Sequence, residues 1–146
     1  MPIHSKKYKQ AILYLCSKLD GEIWGKKKLA KLLYFVDFDF FEKYQKYFTG
    51  DKYRALPMGP FPVSLSEITS EMEKEGMKCL KNPQVSIFSK EEIEMLDRII
   101  KKYGDLNGKQ LEDLTRAEAP YIGTEPKGEI LYELAFYRGT DFNCRA

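Results

Sequence analysis

One histidine, three scattered cysteines, two aspartates flanking a phenylalanine and a group of four lysines are the residues of this chain whose types could support chemistry. His4 stands near the chain's start with no second histidine to complete a zinc site, and a catalytic triad would have to rely on it where order is poorest. Asp37 and Asp39 could hold a hard cation or trade protons as a pair. Residues two apart on a helix point about 200° away from each other, so the two carboxylates need partners from elsewhere, and the plainer expectation is that Asp37 or Asp39 caps or pairs with a loop group. Lys26, Lys27, Lys28 and Lys31 could contact phosphates, or could be a solvated surface whose field nearby acidic residues offset. As lysines at a helix start they oppose the macrodipole, so helix stability alone does not explain them. Cys16, Cys79 and Cys144 lack the close spacing of zinc or redox motifs and read as free thiols of a reducing compartment. No stretch fits a P-loop or a dinucleotide fingerprint.

Those residues need a scaffold, and 146 residues suit one domain. With 24 Lys and Arg against 22 Asp and Glu, the chain has little global attraction for nucleic acid or anionic membrane. The N-terminus never reaches an apolar run long enough for a signal peptide or a membrane span, which points to the cytoplasm and to no membrane partner. Nine Phe and ten Tyr can supply both a core and a contact patch.

Periodicity predicts a first helix capped by Ser5, with Tyr8, Ile12, Leu15, Cys16 and Leu19 on one face, ended by Asp20 and Gly21. A second, from about Gly25 to Phe48, is apolar on most sides: Leu29, Leu32, Leu33, Val36 and Phe40 form a stripe that Phe35, Phe38 and Phe41 widen. Such a helix packs at the centre of a fold. Glycines and prolines between Thr49 and Pro62 break the pattern, predicting an ordered loop with a short edge strand over 52–56. A capping box of Ser64 and Glu67 should open a helix to about Glu75, closed by Gly76. Met77–Leu80 and Val85–Phe88 read as a small hairpin. Ser89 with Glu92 should cap a helix ending at Gly104, and Asn107 should cap a shorter one through Leu114. After a loop over Ala119–Gly128, a last helix is expected from Glu129 to Arg138. The fold class is mainly α with a small β-hairpin: a compact multi-helix domain around a central hydrophobic helix.

Two segments carry a resemblance. The first comprises Lys28–Phe35, Asp37, Phe38, then Thr49, Gly50, Asp51, Tyr53, Met58, Gly59, Pro60 and Pro62; the second comprises Leu114–Tyr121 followed by Ile130–Phe136. Together they resemble the Panacea domain family, the SocA-like antitoxins, across most of the chain. In the second segment the family usually shows a histidine and a tryptophan where this chain has Arg116 and Tyr121. The resemblance implies a single mostly helical antitoxin domain over residues 1–146, not an enzyme, that binds and neutralises a co-encoded toxin protein, in some members by delivering it to a protease. It implies no cofactor.

On this reading the partner-binding residues are Tyr53, Met58, Gly59, Pro60, Phe61 and Pro62, in a loop whose prolines reduce the ordering cost of recognition, together with Thr115, Arg116 and Glu118. Phe61 could equally plug the core. Thr115 is expected to bond locally to backbone and Glu118 to pair with a lysine. The alternative is a DNA-binding regulator using Lys26, Lys27, Lys28 and Lys31, in which the helix from Ser64 and the hairpin after it follow winged-helix order; Glu67, Glu71, Glu73 and Glu75 on that helix would oppose phosphate. A hydrolase would require Asp37, Asp39 and Glu118 to converge.

Overall fold

The computed structural model describes residues 3–19, 27–77 and 82–139. Helix α1 is Ser5–Lys18, α2 is Lys27–Tyr44, and strands β1 (Tyr53–Leu56) and β2 (Gly59–Pro62) follow. Then come α3 (Leu65–Lys74), a 3-10 turn at Val85–Ile87, α4 (Lys90–Tyr103), α5 (Gly108–Arg116), α6 (Ala119–Ile122), β3 (Glu129–Ile130) and a 3-10 segment at Tyr132–Tyr137. The chain is mainly helical around a small antiparallel sheet of order β2-β1-β3. No described helix is long and apolar enough to cross a membrane.

Helix α2 is the axis of the molecule. Every residue from Leu29 to Glu42 is buried, and α4, α5, β2 and the 132–137 segment all pack on it. Aromatic stacking fixes its rotation: Phe35 lies on Tyr103 with ring centroids 3.9 Å apart, and Phe38 lies on Tyr132 at 4.5 Å. The helix stops at Tyr44, short of the expected Phe48. Gln45 turns to φ 55°, and Phe48 folds back to meet Phe40 edge-on at 5.4 Å, burying its ring where a continued helix would carry it away.

Helices α1, α3, α4 and α5 form where expected, but not always with the expected caps or buried faces. Ser89 with Glu92 and Asn107 with Gln110 form complete capping boxes at α4 and α5. The box expected at Ser64 does not form, because the Ser64 N–H is already taken by the Asp51 carboxylate at 3.0 Å. At α1 the cap position is His4 rather than Ser5, and the His4 N–H donates to the Thr49 carbonyl at 2.8 Å, so a tertiary bond sets where that helix starts. The end expected at Asp20 and Gly21 lies outside the described residues.

Three expectations about the β elements and the C-terminus are corrected. The hairpin is at residues 53–62, not 77–88: Val85–Ile87 is a 3-10 turn that delivers Phe88 into the core against Tyr14 and Phe48, and residues 78–80 of the other expected arm lie outside the described set. The expected edge strand β1 is the central one, flanked by β2 and β3. Pro60 and Pro62 are tolerated because they sit on β2, an edge strand, opposite Ala55 and Tyr53. Finally, the expected helix over 129–138 is a strand and a 3-10 segment, because Ile130 and Glu129 pair with Tyr53 and Arg54 before the chain can coil. The expected loop before it contains α6, with Pro120 in its first turn where a missing N–H costs nothing.

Candidate interaction surface

Four side chains that look out of place in an apolar rod, Lys31, Asp37, Asp39 and Glu42, are buried and tie α2 to the rest of the chain. Asp37 accepts the Thr49 N–H at 2.8 Å, the Thr49 hydroxyl at 2.7 Å and the Tyr53 hydroxyl at 2.5 Å. A second carboxylate continues the frame: Asp51 accepts the Tyr8 hydroxyl at 2.7 Å as well as the Ser64 N–H, and Tyr132 donates to the Asp51 carbonyl at 2.6 Å. The Thr-Gly-Asp turn is therefore an internal bracket that joins α1, α2, β1 and α3.

Burial pushes the Asp37 carboxyl up to about 6, against the Tyr53 and Thr49 hydrogen bonds, which pull it down. Between the ordinary 3.8 and about 6 the folded chain keeps a proton that the unfolded chain has released, so this group's contribution to stability is lost as pH rises through that window. The expected result is that Asp37→Asn, which has no carboxyl proton, flattens that part of the pH–stability curve measured by chemical denaturation. An unaltered slope would place the titration elsewhere.

Lys31 secures the hairpin. Its Nζ donates to the Pro60 carbonyl at 3.0 Å, and burial lowers the amine to about 8, with the Glu112 charge opposing the fall. Gly59 rests directly on this side chain at φ +109°, a conformation that strains any other residue, and an added Cβ would crowd Lys31 Cε at 2.9 Å and Thr115 Oγ1 at 3.2 Å. From the other side, the Tyr121 hydroxyl donates to the Leu56 carbonyl at 2.6 Å. The short turn at Pro57 and Met58 is thus held at both ends, and the corner where α5 meets α6 lies beside it.

The expected contact residues divide accordingly. Tyr53, Gly59, Pro60, Pro62 and Thr115 are buried framework; Phe61 and Glu118 are half-buried; Met58 and Arg116 are exposed. Thr115 makes the expected local bonds, to the Leu111 and Glu112 carbonyls at 3.0 Å each. Sequence reasoning overlooked Leu114 on α5 and Ile122 on α6, which are 44% and 69% exposed, as Met58 in the hairpin turn is at 55%. Apolar side chains this exposed on neighbouring elements are a stronger contact signal than the prolines that stiffen the turn.

The lysines proposed for phosphate contact are not a solvent-facing row. Lys27 pairs with Glu112 at 2.6 Å, Lys28 donates to the Gly104 carbonyl, and Lys31 is buried under Pro60; Lys26 lies outside the described residues. These tertiary bonds fasten the first turn of α2 to α5, to the end of α4 and to β2, and they offset the unfavourable macrodipole. The acidic helix α3 is likewise engaged, with Lys9 bridging Glu71 and Glu75 at 3.0 Å each.

Among the described residues Glu118 pairs with no lysine. It accepts the Tyr34 hydroxyl at 2.7 Å and faces the Arg138 guanidinium at 3.4 Å. Burial pushes its carboxyl up, and Arg138 pulls it down. The Arg138 side chain is 1% exposed and also meets Asp39 and, at 3.2 Å, Glu42. Asp39 and Glu118 therefore converge around a guanidinium, while Asp37 is occupied by Thr49 and Tyr53. Arg138 was missed in the sequence, although a signal existed: Asp39 and Glu42 stand three apart on one face of a greasy helix and require a cation.

These observations define a mainly helical domain whose small sheet is pinned to its central helix by buried polar side chains. Residues 29–121 match a family described as Antitoxin SocA-like, Panacea domain, and the chain belongs to that family. No curated protein and no solved structure matches the chain.

Proposed function

We propose that residues 1–146 form one antitoxin domain of the cytoplasm that works by binding, not catalysis, and neutralises a co-encoded toxin protein, with delivery of the toxin to a protease as one route. The docking surface is the hairpin tip with the α5–α6 corner. The observation that supports this reading is the exposure of Met58, Leu114 and Ile122 around a turn whose backbone is already fastened by Lys31 and Tyr121. Such a surface loses little conformational freedom on binding and presents apolar anchors beside Arg116, whose guanidinium lies 6.0 Å over the Tyr121 ring. Within this reading Tyr53, Gly59, Pro60, Pro62, Thr115 and Glu118 position the surface, and Met58, Phe61 and Arg116 meet the partner directly. Helix α1 and the segment after residue 121 belong to the same domain, since His4 and Tyr132 bond to the Thr49 and Asp51 carbonyls inside the matched stretch.

Coexpression with the product of the adjacent gene tests this. The expected result is a complex that copurifies and restores growth that the partner alone arrests. A neighbour that is harmless, or that never associates, would contradict the proposal. Within such a complex, Met58→Asp combined with Ile122→Asp should weaken binding by about a hundredfold or more, on the scale of two lost anchors, while changing stability by less than about 0.5 kcal/mol each because both side chains are exposed.

A further inference from the structure

The small sheet has two edges, and only one of them is closed. In an antiparallel pair, successive residues turn their backbone groups alternately toward the neighbouring strand and away from it. The Val63 N–H donates to the Lys52 carbonyl at 2.8 Å, so Phe61 and Gly59 also face β1, and Pro60 and Pro62 face outward. Neither proline has an N–H, and the Pro60 carbonyl already accepts Lys31, so the outer edge of β2 offers no donor to a further strand.

At β3 the same alternation has the opposite result. Ala55 donates to the Gly128 carbonyl at 3.0 Å and accepts the Lys127 N–H at 2.8 Å, so Ile130, two residues after Gly128, turns its backbone to Tyr53. The Glu129 N–H and carbonyl and the Leu131 N–H therefore point away from β1. Among the described residues these three groups have no hydrogen-bond partner, and both residues are exposed. Beyond the edge the 3-10 segment, with three residues per turn, stacks Leu131, Leu134 and Tyr137 in one row. Leu131 and Tyr137 are exposed, and Leu134 is seated against Gly123, where an added Cβ would lie 3.5 Å from Leu134 Cδ1. The row thus meets the end of α6 at the residue after Ile122, one of the anchors of the docking corner.

These features select the occupant. Glu125, Glu129 and Glu133 are exposed carboxylates in no ion pair among the described residues, while Arg54, opposite Glu129, donates to the Lys127 carbonyl at 3.0 Å. Phosphates of a nucleic acid or an anionic membrane would meet those carboxylates, and a second copy would bring three more of them. A helix keeps its own backbone groups bonded and has no use for the edge. An extended segment satisfies the edge by becoming its next strand.

We propose that β3 receives an extended segment of the proposed toxin partner as a fourth strand, with a lysine or arginine opposite Glu129 and an apolar side chain opposite Leu131. The inference rests on the antitoxin reading and adds the form in which the partner is held.

Leu131→Pro is the discriminating variant. Residue 131 has φ −77°, which proline adopts, and the N–H that proline deletes faces away from β1. Leu131→Ala removes the same side chain and keeps the N–H. Titrated with the purified product of the adjacent gene, Leu131→Pro should bind about tenfold more weakly than Leu131→Ala, the scale of one backbone bond whose acceptor is left unpaired. In the parent complex the Glu129 and Leu131 amides should exchange more slowly than in the free chain, a reading that needs no variant. The inference is overturned if those amides stay unprotected in a complex that forms, or if a proline variant with the parent's melting curve binds as the alanine variant does; the antitoxin reading survives either result. It is also overturned if the chain alone sediments as a dimer that Leu131→Pro dissolves, which assigns the edge to a second copy. A neighbour that does not bind removes this inference and the antitoxin reading together.

Discussion

Replacing Arg138 with methionine should destabilise the fold by about 3–5 kcal/mol, the scale of a buried ion network stripped of one partner. Its guanidinium is the shared counter-charge of Asp39, Glu42 and Glu118, and its side chain is almost wholly out of water. Without it, three carboxylates would face one another in a low-dielectric space, and Glu118, whose carboxyl burial already pushes up, would lose the charge that pulls it down. The loss should therefore be greatest near neutrality and shrink as the pH falls, because carboxyls whose folded-state pKa is raised favour the folded chain at low pH. Arg138→Lys should recover only part of the stability, since an ammonium cannot reach three acceptors with a planar fork. Denaturation midpoints at two pH values provide the reading; a methionine variant as stable as the parent would mean that the network contributes nothing. Arg138 lies beyond the matched stretch that ends at residue 121, so a large loss would also show that the C-terminal segment is integral to the domain.

Phe35→Ala should cost a similar amount, about 3–5 kcal/mol, for a different reason. The ring is 1% exposed, stacked at 10° on Tyr103 and set edge-on to Tyr34 at 5.4 Å. Its removal would open a cavity between α2 and α4 that two packed helices cannot collapse to fill. The denaturation midpoint should fall with little change in slope and with no strong dependence on pH, which distinguishes this loss from that at Arg138. An unchanged melting curve would contradict the placement of α2 at the centre of the fold.

How much of this was legible in the sequence depends on the range of the forces involved. The central helix was legible because burial on every side leaves no polar face, and the caps of α4 and α5 because a capping box is complete within four residues. The hairpin at 53–62 was harder to see: its prolines argue against a strand unless the strand is known to be an edge, and edge position is decided by β3, some seventy residues later. The same dependence hid the C-terminal elements, where pairing of Ile130 with Tyr53 overrides the helical spacing of Glu129–Arg138. Lys27, Lys28 and Lys31 read as surface because their acceptors, the Glu112 carboxylate and the Gly104 and Pro60 carbonyls, lie 85, 76 and 29 residues away. At the candidate surface, Met58 and Arg116 could be named in advance. Leu114 could not, since helical spacing alone assigns it to the inner face of α5.

Hydrogen exchange on the complex shows whether the turn fastened to the buried helix offers the partner a ready-made surface. With the proposed toxin partner bound, backbone amides at residues 56–59 and 114–123 should exchange more slowly, while those of α2, already buried, stay as they were. Protection that appears only elsewhere, leaving the hairpin tip and the α5–α6 corner unchanged, would contradict the account.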